Sequence, residues 1–230
     1  MSTFFNISAT AFLIADPSRA AMLTMLMDGR AHPAGALARA AGVSAQTASA
    51  HLAKLRAGGL VLVETEGRHR YYRLADSHVA QALEQLAAIR PGATPRPMAL
   101  SPQQRSLRFC RRCYDHLAGQ VGVAVTCALL DQDYLRPGED RRFILTPAGA
   151  RWFSDLGMDV EAIRPTRRGL ARQCLDWTER VPHLAGPLGV QFMSLLCERG
   201  WLRRSDASRA VLLTPAGAAG LRETLGVMLP

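Results

Sequence analysis

Between Pro33 and Leu74 the apolar residues change period twice. A short stretch with helical periodicity, Pro33 to Ala41, runs into Gly42-Val43-Ser44. A second helix is predicted from Ala45 to about Ala57, where Ala48, Leu52 and Leu55 fall at i, i+4 and i+7 and continue a stripe from Val43. Gly42 suits the tight turn. Ser44 suits an N-cap whose hydroxyl takes an otherwise unpaired backbone N–H. The period then drops to two: Gly58-Gly59 precedes alternating Leu60-Val61-Leu62-Val63, a turn at Glu66 to Arg70, and a returning strand, Tyr71 to Leu74.

Helix, turn, helix and a hairpin with a basic tip, in that order, predict a winged helix-turn-helix. A small α+β core without further role is the plain alternative, since a glycine between helices is common. The polar face of the second helix tips the balance. Short donors and acceptors with one cation fit a helix laid in a major groove, with base edges read by the first turns. The expected DNA contacts are Ser44, Gln46, Thr47, Ser49, His51 and Lys54 on this helix, and Arg68, His69 and Arg70 on the wing.

Residues 3–14 are apolar and nearly uncharged, a first helix that packs in the core or at a dimer interface. Asp16 caps a helix from Pro17 to Leu26. After the wing, Asp76-Ser77-His78 opens a helix with Val79, Leu83, Leu86 and Ile89 at a spacing near 3.5, which suggests packing on a twin. A homodimer is therefore expected through Phe4–Ile14 and Val79–Ile89. Three prolines and a glycine within Pro91 to Pro97 mark a linker. The expected organisation is a DNA-binding and dimerisation domain at 1–90, a linker at 91–101 and a second domain at 102–230.

The first 90 residues resemble the ArsR/SmtB family of bacterial repressors. Ala15 to Leu23 matches its opening helix, Val43 to Leu52 with Leu55 and Gly59-Leu60-Val61 its recognition helix and exit, and Gly67-Arg68 with Tyr72 and Leu74 its wing. The resemblance spans about Ala9 to Arg90. It implies a homodimeric repressor that leaves a pseudo-palindromic double-stranded DNA operator when a small molecule or metal binds. Two of the family's metal sites are not carried over. Asp76 and His78 match half of one, but no histidine follows before His116, and Leu37-Ala38-Arg39-Ala40 lacks the cysteine of the other.

The second half repeats itself. His116-Leu117-Ala118-Gly119-Gln120-Val121-Gly122-Val123 returns as His183-Leu184-Ala185-Gly186-Pro187-Leu188-Gly189-Val190. Each copy continues into an apolar helix, a turn and a strand entering Leu-Thr-Pro-Ala-Gly at Leu145 or Leu213. Two winged-helix-like repeats with a cleft or shared core between them follow. Lacking a polar recognition face, they are not assigned to DNA. The fold class is α+β, mainly α with small β-hairpins.

Ahead of the repeats stand Cys110-Arg111-Arg112-Cys113-Tyr114-Asp115-His116 and Cys174 to His183, stretches that resemble a longer subset of ArsR-like regulators. Cys113, Asp115, His116, Cys174, Trp177 and His183 are the candidate effector residues. Cys110, Cys113, His116, Cys174 and His183 are candidate metal ligands, with Cys110, Cys113 and His116 expected on one helix face. Their donors suit Zn or another thiophilic ion. Buried inert thiols, a redox-sensing thiol and an organic-ligand pocket stay open beside that reading.

Composition narrows the class. Five cysteines, none before residue 110, argue for reduced thiols and a cytoplasmic protein rather than a disulfide framework. No apolar run is long enough for a membrane span, and the N-terminus lacks the basic start of a signal peptide. A net charge of +9 assists DNA attraction. Yet it is spread along the chain, with 9 Lys+Arg against 6 Asp+Glu in residues 1–90. An architectural DNA-coating protein would leave the apolar repeats unexplained. No phosphate loop or nucleophile elbow is present, so no enzyme and no required cofactor is expected.

Overall fold

The computed structural model describes residues 7–67, 69–89 and 101–229, which form two compact units, Met1–Leu83 and Glu84–Pro230. In the first, α1 (Ile7–Ala15) and α2 (Pro17–Leu26) precede β1 (His32–Pro33), α3 (Ala34–Ala41), α4 (Ala45–Ala57), β2 (Val61–Glu66), β3 (His69–Leu74) and the start of α5 (Ser77–Ile89). Asp16 caps α2, its carboxylate accepting from the Arg19 backbone N–H at 2.9 Å. Gly42 ends α3 in the left-handed region at φ +65, and Ser44 Oγ accepts from the Thr47 N–H to start α4. Strands order as β1-β3-β2, with Glu66 opposite His69, so the wing turn is tighter than expected and His69 and Arg70 belong to β3.

Apolar stripes of these elements converge: Met22, Leu23 and Leu26 from α2, Leu37 from α3, Ala48, Leu52 and Leu55 from α4, Val61 and Tyr72 from the hairpin. Arg19 is buried among them. Its guanidinium donates to the carbonyls of Phe12 and Leu13 at 2.7 Å each, satisfying the end of α1. By contrast α1 buries none of its own residues, and Ile7 and Phe12 are exposed.

In the second unit α6 (Pro102–Phe109) leads into β4 (Arg111–Cys113), β5 (His116–Ala118), α7 (Gly119–Asp131), β6 (Leu135–Pro137), β7 (Arg142–Leu145) and α8 (Pro147–Asp155). The second copy follows as β8 (Ala171–Leu175), β9 (Pro182–Ala185), α9 (Gly186–Glu198), β10 (Leu202–Arg204), β11 (Val211–Leu213) and α10 (Pro215–Leu225). The repeat is thus structural as well as textual. Its glycines explain part of the spelling. Gly119 and Gly186 both sit at positive φ, where a Cβ would come within 2.6 Å of the Arg108 carbonyl or 2.9 Å of the Leu170 carbonyl.

The two copies exchange strands. One sheet runs β6-β7-β8-β9, so the wing of the first copy pairs with the leading hairpin of the second. Reciprocally, a bridge between Arg111 and Ala210 and the bond from Val211 N–H to the Cys110 carbonyl join β11 to β4. One core is therefore shared, with Leu117, Val121, Val125 and Leu129 of the first copy beside Leu184, Leu188, Phe192 and Leu196 of the second. A shared core, rather than an open cleft, holds the repeats together.

The units divide at 83/84 rather than within 91–101. Glu84 belongs to the second unit because its carboxylate accepts from Cys113 and Arg209, and Arg180 donates to the Ala87 carbonyl. Apart from Ser101, the expected linker lies outside the described residues, as do Phe4, Phe5 and Arg68.

Candidate functional site

The first site is the outer face of α4. Ser44, Gln46, Thr47, Ser49 and Lys54 are exposed, while Ala48, Leu52 and Leu55 are buried beneath them. His69 and Arg70 are exposed on β3. Arg68 falls outside the described residues. His51 does not share the outer face: its Nδ1 lies 3.4 Å from Arg19 Nη1 and 3.8 Å from Asp16. The i, i+3 step from Ala48 carries it toward α2, so it braces the helix from within.

The second site lies where the leading hairpins of the two copies meet. Cys113 and His116 are not neighbours on a helix, as expected from the sequence, but a cross-strand pair at the end of β4 and β5. Tyr114, at φ +63, and Asp115 make the two-residue turn between them. Cys174 and His183 form the same pair on β8 and β9. The four side chains converge, with every donor atom within 4.8 Å of the others. Sγ of Cys113 is 3.9 Å from Sγ of Cys174, and the two histidine Nε2 atoms are 3.1 Å apart.

Cys110 stays out of the group. It ends α6 and is buried in the shared core, where burial pushes its thiol up to about 12. Of the remaining expected residues, Asp115 is exposed but accepts from His116 Nδ1 at 2.9 Å. Trp177 lies under the Arg111 guanidinium, 5.0 Å from its ring centroid.

Charged groups surround the four. Arg111 and Asp176, both fully buried, pair at 2.8 Å. Asp176 also accepts from the Gly119 N–H that opens α7, from Thr178 twice and from Glu179. Burial works against its charge, but Arg111 and these donors outweigh it and hold the carboxyl well below the usual range. Buried Glu84 accepts from Cys113 Sγ at 3.1 Å and from Arg209 at 2.7 Å.

Cys174 and burial push the Cys113 thiol up, whereas the contact with Cys113 lowers Cys174. Burial opposes a charge on His116, but Asp115 and Cys113 raise it to about 9. Sequence reasoning missed Arg111, Glu84 and Arg209. Arg111 stands inside a motif already singled out, but Glu84 carries no local signal, since an acid between Leu83 and Leu86 looks solvated.

Comparison with known proteins finds a helix-turn-helix domain in the first unit. A family model described as a helix-turn-helix domain matches residues 14–64. The HTH-type transcriptional regulator YdfF of Bacillus subtilis is 45% identical over 224 residues, 97% of this chain and 99% of that protein. The HTH-type regulator CmtR of Mycobacterium tuberculosis is 45% identical over 76 residues, 33% of this chain, and the match spans 64% of CmtR. The NMR structure of that protein, titled a cadmium metal sensor, aligns with 41% of this chain and 99% of its own at a TM-score of 0.32 and 38% identity. A homodimeric winged helix-turn-helix domain from Mycobacterium bovis, a possible ArsR-family regulator, covers 39% of this chain and 89% of its own at a TM-score of 0.34 and 29% identity. Among the described residues no helix is long and apolar enough to cross a membrane. With 45% identity to YdfF over 97% of its length and a winged helix-turn-helix at its start, the chain belongs to the HTH-type transcriptional regulators of ArsR/SmtB type and carries an extra C-terminal region.

Proposed function

We propose that the protein is a homodimeric repressor that reads a pseudo-palindromic operator and is released from it by an effector bound in the second unit. The observation that carries the DNA half is the outer face of α4. An N-capped helix presents Gln46, Thr47 and Ser49 to solvent over a fully buried underside. Such a face has no packing role and matches base edges in a major groove. A second copy is the natural cover for α1, whose Ile7 and Phe12 are exposed, and for Leu86 and Ile89 of α5. The homodimeric Mycobacterium bovis domain supports the same reading.

The effector reading rests on the second unit, where Cys113, Asp115, His116, Cys174, Trp177 and His183 gather their chemistry; an effector acts there by its differential affinity for two forms. Selection of binding sites from random duplex DNA tests the proposal. It should enrich one pseudo-palindrome with half-sites about 10 bp, or a multiple, apart. Enrichment of no motif would identify a DNA-coating protein instead, and a single unrepeated half-site bound by a monomer would remove the dimer.

A further inference from the structure

We propose that Cys113, His116, Cys174 and His183 form a closed tetrahedral site for a thiophilic divalent cation of the Zn2+ class. The geometry comes first. A tetrahedral ion with bonds of about 2.3 Å to sulfur and about 2.0 Å to nitrogen sets S···S edges near ~3.8 Å and N···N edges near ~3.3 Å. The corresponding separations are 3.9 Å between the sulfurs and 3.1 Å between the Nε2 atoms. All sulfur–nitrogen separations lie within 4.8 Å, so small rotations about the cysteine side chains complete the shell.

The histidines are oriented from behind. His116 presents Nδ1 to Asp115 at 2.9 Å, and His183 turns Nδ1 toward Asp176 at 3.6 Å, too far for a hydrogen bond and with no other partner among the described residues. A carboxylate behind each ring directs the opposite nitrogen inward, the arrangement that fixes metal-ligating imidazoles. The two Nε2 atoms then face each other at 3.1 Å inside the protein. Such a contact needs either a hydrogen-bonding proton or a metal ion between the two nitrogens.

Donor chemistry selects the ion. Two sulfurs and two imidazoles suit Zn2+ and other thiophilic metals; Mg2+ and Ca2+ demand oxygen. Two thiolates also cancel the ion's charge, which suits a site in which Cys113, His116 and His183 are buried. Cys174, only partly buried, leaves a way in. Four protein ligands leave no position for a substrate, so the site is structural or sensory rather than catalytic. The strand exchange supplies the reason for two equivalent pairs: each repeat contributes one Cys/His pair, and neither alone completes the shell.

The metal site itself does not depend on the DNA reading; only the ion's role as effector does. The test uses the full-length protein, stripped with chelator and titrated with Co2+. One Co2+ per chain is expected, with the intense ligand-field bands of tetrahedral coordination, thiolate charge transfer, and bleaching by equimolar Zn2+. Cys113→Ser and Cys174→Ser should each lose the charge-transfer band, and Cys127→Ser should keep it. Weak octahedral bands, no saturable uptake, or a spectrum unchanged by Cys113→Ser and Cys174→Ser would overturn the site and leave an adventitious ion only.

Alkylation of the wild-type chain covers the case where variants do not fold. Zn2+ should slow modification of Cys174 at least tenfold and leave Cys127 unchanged; equal rates at Cys174 would also overturn the proposal. Operator affinity on the same sample separates the two readings. Co2+ spectra as expected with unaltered operator affinity support the site and remove the ion as effector. The same spectra without any operator selection support the site and remove the DNA reading.

Discussion

Under the proposed function, single residues on the outer face of α4 and on the wing divide into those that read base edges and those that hold phosphate. Gln46→Ala should relax discrimination by about 1–3 kcal/mol at one base position, seen as a flattened preference in a mutated-operator series. Arg70→Ala should instead weaken specific and random DNA alike and lower the salt slope by about one, because a guanidinium near phosphate displaces a counterion. Equal losses on both DNAs for Gln46→Ala would contradict the groove assignment. Asp16 carries a pH dependence. The Arg19 backbone N–H holds its carboxyl below the ordinary value. Its cap on α2 is therefore fully present above about pH 4 and is lost as pH falls further. Asp16→Asn should keep the cap and remove this part of the acid transition, followed by circular dichroism.

Elements differ in how far their own residues specify them. The recognition helix α4 is legible because its signals are local: a left-handed Gly42, a capping Ser44 and a buried stripe at i, i+4, i+7. The β4–β5 hairpin is not. Arg-Arg-Cys-Tyr-Asp-His offers no alternation of apolar and polar residues. Its three-residue strands are held by the turn at Tyr114 and by pairing with β11 of the other copy. A pair of glycines tests what the repeat spelling means. Gly42→Ala should cost about 1–2 kcal/mol, the strain of a left-handed residue with open space around it. Gly119→Ala meets the same strain and also sets a Cβ 2.6 Å from the Arg108 carbonyl, so its urea midpoint should fall well below that of Gly42→Ala. Similar midpoints would show that the α6–α7 junction yields freely.

At the scale of the whole molecule the proposed function assigns DNA reading to the first unit and sensing to the second. A chain ending at residue 90 should still bind the selected operator and should no longer respond to Zn2+. The change in operator affinity with and without the ion, measured on both lengths, decides it; a truncated chain that still releases DNA on Zn2+ would place the sensor in the first unit. Helix α5 starts in the first unit and ends in the second, so the boundary falls within a helix rather than in the proline-rich stretch. Composition places a linker at the prolines of 91–97, which lie outside the described residues. It could not show that Glu84, six residues before Arg90, is bonded to Cys113 and Arg209.

By itself the sequence determined the winged helix-turn-helix, the exposed polar face of α4 and the duplication of the second half, because caps, turns and hydrophobic periods act within a few residues. It also marked the cysteines and histidines as a possible ligand set, but on the wrong local structure and with Cys110 among them. It counted His51 among the DNA contacts, whereas packing turns that ring toward Arg19. Only the tertiary structure decided that the repeats exchange strands, that each contributes one Cys/His pair and that these pairs meet around Arg111, Asp176 and Glu84. Strand pairing between segments 30 residues apart (Arg142 with Arg172) and 99 apart (Arg111 with Ala210) follows from how a shared core closes, and no local pattern of residues encodes which hairpin lies beside which.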